Sequence, residues 1–316
     1  MTRFILKRLL LLVPLLLGVS LVVFILLQSG DNDPAMSYLR LSGIPPTDAA
    51  LAEARDHLGL DRPLPVQYLH WLWRALRLDF GTSYVTGAPV TAHLLHYLPN
   101  TLYLAVVALL LTVGLSLPLG MLAAAFRGRW PDRLGRALAY LGVSTPSFWL
   151  GFLMILIFSV KLGWLPSMGM GGISHVVMPA LSVALMSMCV NMRLVRGSML
   201  EQMHGRHILY ARLRGLSERR VVGAHVLKNS LIPVVTALGM HVGEILGGAV
   251  VAEVVFSWPG IGRYAVSAIY NRDFPVMQCF ILMMTVIFVF CNLLTDIVYA
   301  AIDPRIRLEA KGAADA

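Results

Sequence analysis

Residues 101–125 read TLYLAVVALLLTVGLSLPLGMLAAA, without a single charged side chain. A helix rises about 1.5 Å per residue and the hydrocarbon core of a bilayer is about 30 Å thick, so this run is long and apolar enough to cross it. Five further segments read the same way: Leu9–Leu27, Ala137–Val160, Val176–Val195, Leu231–Phe256 and Val276–Ala301. The expectation is an all-α, polytopic membrane protein with six transmembrane helices, because a helix satisfies its own backbone in lipid. Composition agrees: of 316 residues 57% are hydrophobic and only 14% charged, outside the range of a water-soluble domain. Pro14, Pro118, Pro146 and Pro179 fall inside or at the edges of these spans and are expected to kink the helices rather than break them.

The first run follows Arg3, Lys7 and Arg8, the pattern that also opens a signal peptide. Its uncharged stretch is longer than a signal core, and no small-x-small cleavage site follows at Gln28-Ser29-Gly30, so it reads as a retained span. The three cysteines, Cys189, Cys279 and Cys291, all lie in apolar segments without disulfide or zinc spacing. The net charge of +9 does not point to nucleic acid, because the basic residues lie between apolar runs rather than on one soluble module.

Those basic residues orient the chain instead. The N-terminus, Phe126–Arg136, Arg193–Ser230 and the segment after Ile302 hold 18 Lys and Arg, whereas the alternate connections hold eight. The positive-inside rule places both termini in the cytoplasm. The connection between the first two spans is too long for a plain link and should fold. Thr47 caps a first expected helix that stops at Gly59, and Pro65 opens a second with Leu69, Leu72, Trp73 and Leu76 along one face. Tyr68, Trp71 and Trp73 suit a surface at the membrane interface, and a cap packed on the bundle and a docking face for a binding protein are both open readings.

Residues 193–233, RLVRGSMLEQMHGRHILYARLRGLSERRVVGAHVLKNSLIP, form a basic segment with helical stretches expected on either side of Gly215. Such a surface binds anionic lipid or a cytoplasmic partner. The order Tyr210-Ala211-Arg212, Gly215, Lys228-Asn229, Pro233 resembles the permease subunits of peptide and nickel ABC importers, with their Ala-x-x-x-Gly coupling motif and closing proline. Tyr210-Ala211-Arg212 replaces the Glu-Ala-Ala of the general importer signature, and the spacing from Gly215 to Pro233 is longer, as in the peptide and nickel branch. Further stretches carry the resemblance: 58–63 (LGLDRP), 79–83 (DFGTS), 144–149 (STPSFW), 256–263 (FSWPGIGR) and 303–307 (DPRIR).

The resemblance implies a type I ABC importer permease fold in the bacterial inner membrane, with an N-terminal transmembrane helix at 1–28, a periplasmic helical insertion at 29–99, a transmembrane domain at 100–302 with a coupling loop at 193–230, and a cytoplasmic tail at 303–316. It implies four kinds of partner: a second homologous permease, two ATP-binding subunits, a periplasmic substrate-binding protein and membrane lipid. Ala211, Gly215, Arg219, Arg220, Lys228 and Pro233 are the expected coupling residues. No Gly-x-x-x-x-Gly-Lys-Ser/Thr stretch occurs, so the subunit is expected to bind no cofactor, with ATP and Mg on the partner ATPases.

Three acids fall within the spans: Glu244, Glu253 and Asp296. Charge in a membrane costs about 2.5–3.5 kcal/mol on insertion scales, so such groups face an interior path or a partner. Glu253 and Asp296 also occur in peptide-type relatives and read as scaffold. His241 and Glu244 share a helix face, and the resemblance ties that pair to nickel permeases. Imidazole and carboxylate suit Ni(II), free or chelated, while hydrogen bonding between the two side chains for helix packing is an equal reading. Gly239, Gly243 and Gly247 suit close helix approach, and Met240, Cys279 and Met283 add soft donors along the same path. The resemblance is nearest to the nickel permeases and implies nickel, free or chelated, as the expected cargo; a di- or oligopeptide importer is the alternative. An intramembrane hydrolase lacks a nucleophile beside His241, and a proton-coupled transporter has no need of the coupling loop.

Overall fold

The computed structural model describes residues 2–28 and 33–302, and its regular elements are helices. They are α1 (Thr2–Gln28), α2 (Pro34–Leu41), α3 (Asp48–Leu58), α4 (Leu64–Ala75), α5 (Val90–Ala125), α6 (Trp130–Ser144), α7 (Ser147–Met154), α8 (Ile173–Met203), α9 (Arg206–Leu213), α10 (Glu218–Arg220), α11 (Leu227–Val255), α12 (Ile261–Asn271) and α13 (Phe274–Ile302). Residues 303–316, including the Asp303–Arg307 stretch, lie outside the described residues.

Among the described residues five helices are long and apolar enough to cross a membrane: Leu10–Gln28 of α1, α5, α8, Pro233–Val255 of α11 and Phe274–Thr295 of α13. The expected third span is not one helix. Thr145 and Pro146 are both extended, with ψ of 119° and 135°, and α6 meets α7 with its π-helical continuation Ile155–Lys161 at a bend of 106°. The proline ring disfavours helical geometry at the residue before it, and here Thr145 yields, so Pro146 breaks the span rather than kinking it. Pro14 and Pro179 stay inside continuous helices. Only as a bent pair do α6 and α7 supply a sixth crossing.

The chain divides into two compact units, Met1–Thr101 with Pro259–Val289, and Leu102–Trp258 with Phe290–Ala316. In the first, the two helices expected between the first spans are present. Thr47 Oγ1 accepts from the Ala50 N–H at 3.2 Å to start α3, and Gly59 closes it in left-handed geometry at φ +68°. A third helix, α2, is added, with the Asp33 side chain capping the Ala35 N–H. Its core joins α2 to α3 through Ala35, Leu39 and Ala54. A second cluster packs Val90 and Leu94 of α5 against Ile261 and Ala268 of α12 and Val276 and Cys279 of α13. Asp273, buried at the turn between those last two helices, accepts from Ser83 Oγ at 2.5 Å and from the Tyr84 N–H at 3.2 Å, which pins loop 82–88.

In the second unit α8 and α11 pack along each other, and Met178, Ala180, Val183 and Ala184 of α8 join Ile245, Ala249 and Ala252 of α11 in one core. Glu253 is fully buried there, in keeping with a scaffold role, while the side chain of Asp296 lies outside the described residues.

Candidate functional site

The segment between α8 and α11 is built around a small residue and a reversal. Ala211 on α9 is buried with Val195, Met199, Ile208, Val221, Val226 and Val234, so the helix seats closely against the ends of α8 and α11. Gly215 ends α9 at φ +75°, a left-handed position, and the N–H of Leu216 returns to the carbonyl of Ala211 at 3.3 Å. The spacing of Ala211 and Gly215 thus has a local cause: one residue must be small enough to seat the helix, and four positions later the backbone must turn left-handed. Arg212 then holds Glu218 through two nitrogens, at 2.8 and 3.2 Å, and α10 runs through a π-helical turn, Val221–Val226, into α11.

Opposite the buried face, α9 presents Leu209, Tyr210 and Leu213 to solvent, the last 74% exposed, between Arg206, Arg212 and Arg214. Arg220 and Lys228 are exposed, the Arg219 side chain lies outside the described residues, and Pro233 is exposed inside the first turns of α11.

One tie was not foreseen. The buried carboxylate of Asp132, at the start of α6, is gripped by Arg196 of α8 and accepts from the Gly128 N–H at 2.9 Å. Asp132 is the one acid between Phe126 and Arg136, and that isolation was the available signal.

Higher on α11 the structure brings His241 and Glu244 together. Nδ1 of His241 lies 2.8 Å from Oε2 of Glu244, and since a carboxylate oxygen only accepts, Nδ1 carries the hydrogen. Ser187 of α8 donates to the same oxygen at 2.9 Å. His241 is 2% exposed and its Nε2 is buried without a hydrogen-bond partner among the described residues. The Glu244 side chain is 44% exposed, in a row with Met240, Gly247, Val251 and Val254 that is exposed among the described residues. A carboxylate facing lipid is costly, so this row faces a partner or a watered path.

The glycine stripe does not act as one surface. A Cβ on Gly239 would collide with Thr295 of α13, whereas one on Gly247 would meet nothing within 4 Å. Cys279 and Met283 belong to the apolar cluster of the first unit, where they pack. Among the described residues no three His, Cys, Asp or Glu side chains gather to hold a metal ion.

Comparison with known proteins agrees with this architecture. Residues 116–308 match the family described as binding-protein-dependent transport system inner membrane component, and residues 1–105 match its N-terminal companion. The glutathione transport system permease protein GsiC of Salmonella typhimurium is 42% identical over 97% of this chain and 99% of its own length. The GsiC protein of Escherichia coli strain K12 is 41% identical over the same shares. Among solved structures, the inward-facing MetNI methionine ABC transporter superposes with a TM-score of 0.57 at 19% identity, covering 66% of this chain and 96% of the other, which shows a shared type I importer permease fold. The chain therefore belongs to the binding-protein-dependent transport system inner membrane components, as a non-catalytic permease subunit of an ABC importer in the inner membrane.

Proposed function

We propose that this permease carries small peptides of the glutathione class. The observation that carries the reading is the near full-length identity of 42% to a glutathione permease. The exposed row on α11 supports it physically: Glu244, half-exposed and oriented by His241 and Ser187, offers a carboxylate to a peptide ammonium, and Met240 beside it offers adaptable apolar surface. The relatives named above are glutathione permeases, which moves the balance from the expected nickel to peptide.

In this reading the termini and the α8–α11 connection face the cytoplasm. The α9 knob of Leu209, Tyr210 and Leu213 enters a groove of an ATP-hydrolysing subunit, with Ala211 and Gly215 setting its angle and Arg220 and Lys228 at its rim. A second permease, two ATPases and an external binding protein complete the transporter, and the permease moves its substrate by alternating access.

Nickel remains a second reading on one observation. His241 keeps a buried Nε2 without a hydrogen-bond partner among the described residues while Glu244 orients the ring, the way a carboxylate orients a metal-binding imidazole. The complete transporter, reconstituted with its binding protein, decides between them. Glutathione-stimulated ATP hydrolysis with uptake of labelled tripeptide is expected; stimulation by Ni(II) alone overturns the peptide reading.

A further inference from the structure

Helix α4 is amphipathic in an order opposite to that of a water-soluble cap. Gln67, His70, Trp71 and Arg74 line one arc of it and face a polar cavity of about 330 Å³ inside the first unit. The other arc carries Leu69, Trp73 and Leu76, at 63%, 56% and 72% exposure, with exposed Val66 and Leu78 extending it at either end. Residues spaced three and four apart share a helix face, so Val66, Leu69, Trp73 and Leu76 form one apolar surface that nothing among the described residues covers. Arg77 lies beside it, its guanidinium 4.5 Å from the centre of the Trp73 ring.

The level of α4 in the membrane is set by α1. Tyr68 meets Ser20 at 2.9 Å, oxygen to oxygen, and its ring contacts Phe24 edge-on at 5.5 Å; Gln67 accepts from Gln28 at 3.4 Å. Ser20, Phe24 and Gln28 occupy the last turns of the spanning stretch Leu10–Gln28. The outward arc of α4 is therefore held at the end of a transmembrane helix whose own Val22, Ile25 and Leu26 are exposed and apolar. A polar arc turned to the cavity, an exposed apolar arc and an Arg–Trp pair beside the last turns of a span are the features of a helix lying in the headgroup and acyl boundary.

We infer that α4 is an interfacial membrane helix, with Leu69, Trp73 and Leu76 inserted among lipid chains and Arg77 at the phosphate level. Its occupant is lipid rather than a protein, because the arc stands beside the last turns of a spanning helix whose own exposed side chains, Val22, Ile25 and Leu26, are apolar. The helix thereby fixes the height of the polar cavity above the bilayer.

The test uses the assembled transporter in nanodiscs of phosphatidylcholine and phosphatidylglycerol. A bimane label is placed at Leu69→Cys or Leu76→Cys, with Glu53→Cys on α3 as reference, in a chain whose Cys189, Cys279 and Cys291 are replaced by alanine. Emission from the α4 labels should fall several-fold more with a nitroxide on the upper acyl chain than with aqueous iodide, and the order should reverse at Glu53. The native thiols stay in place in a second measurement, the difference in quenching by brominated lipid between the unaltered chain and Trp73→Phe. Iodide quenching at Leu69 and Leu76 equal to that at Glu53 overturns the inference, because the surface is then wet. Shielding from both quenchers overturns it too, by assigning the face to a second permease, and loss of lipid quenching on adding the binding protein assigns it to that partner.

Discussion

Arg196 on α8 grips the buried carboxylate of Asp132 through two nitrogens, Nε at 2.5 Å from Oδ1 and a terminal nitrogen at 3.0 Å from Oδ2. The pair ties the start of α6 to the helix that leads into α9. Breaking a buried pair costs about 3–5 kcal/mol, and because Arg136 stands 3.7 Å from the same carboxylate the loss here falls at the lower end, about 3 kcal/mol. Arg196→Ala should therefore lower the unfolding free energy of the purified subunit by about that amount. The double variant with Asp132→Ala should lose less than the sum of the two single ones, and additive losses would mean the contact contributes nothing.

The α9 knob and the core beneath it should fail in different ways. Leu213→Asp and Tyr210→Ala alter exposed tips, so stability should move by no more than about 0.5 kcal/mol while ATP-driven uptake collapses. Ala211→Leu overpacks a buried position and should cost about 1–3 kcal/mol. Gly215→Ala meets no neighbour within 4 Å, so its cost is that of the left-handed backbone, about 1 kcal/mol. Thermal unfolding beside vesicle uptake separates the two classes; a Leu213→Asp transporter with full uptake would remove α9 from coupling.

Local signals were legible in the sequence where their cause is local. Spans announce themselves by length and apolarity, the Thr47 cap and Gly59 stop by their own hydrogen bonding and φ, and the Ala211 to Gly215 spacing by one helical turn. The break at Pro146 was not legible, because Pro14 and Pro179 have the same chemistry and remain in continuous helices; the outcome depends on what packs around each bend. Nor were the ties of Asp132 to Arg196, 64 residues on, or Ser83 to Asp273, 190 residues on, since nothing in either neighbourhood names its partner. At the site, the spacing of His241 and Glu244 foretold their contact, while the share taken by Ser187 had to be seen.

Two aspartates around loop 79–88 should differ in worth. The Arg74 guanidinium, joined by the Gly81 N–H, holds the Asp79 carboxyl below its ordinary value of 3.8. A depressed carboxylate stabilises the fold above its unfolded value, and that contribution disappears as pH falls through the lower, folded one. Both side chains are about half exposed, so the contribution is roughly 0–1 kcal/mol. Asp79→Asn should thus match the unaltered chain at low pH and be slightly weaker near neutrality. Asp273→Asn keeps one accepting oxygen but sets an NH2 where the other accepted, so either the buried Ser83 hydroxyl or the Tyr84 N–H faces a donor, and the change should cost about 1.5–3 kcal/mol at neutral pH. Denaturant titrations between about pH 2 and about pH 7 check both, and equal losses at neutral pH would refute the ranking.

The pair on α11 separates packing from passage. Glu244→Gln keeps an oxygen able to accept from Ser187 and His241 but removes the charge that the proposed peptide ammonium meets. Its assembly and unfolding should stay within about 1 kcal/mol of the unaltered chain. Uptake of labelled glutathione should fall severalfold, chiefly through a weaker apparent affinity, because a uniform binding contact is lost rather than the motor. His241→Gln withdraws the ring that orients the carboxylate and should lower uptake in the same direction but less. Together the two changes should not add, since the imidazole acts through the carboxylate it holds. Uptake unchanged in Glu244→Gln would take the carboxylate out of the passage, leave the pair to packing and return the row on α11 to the partner permease.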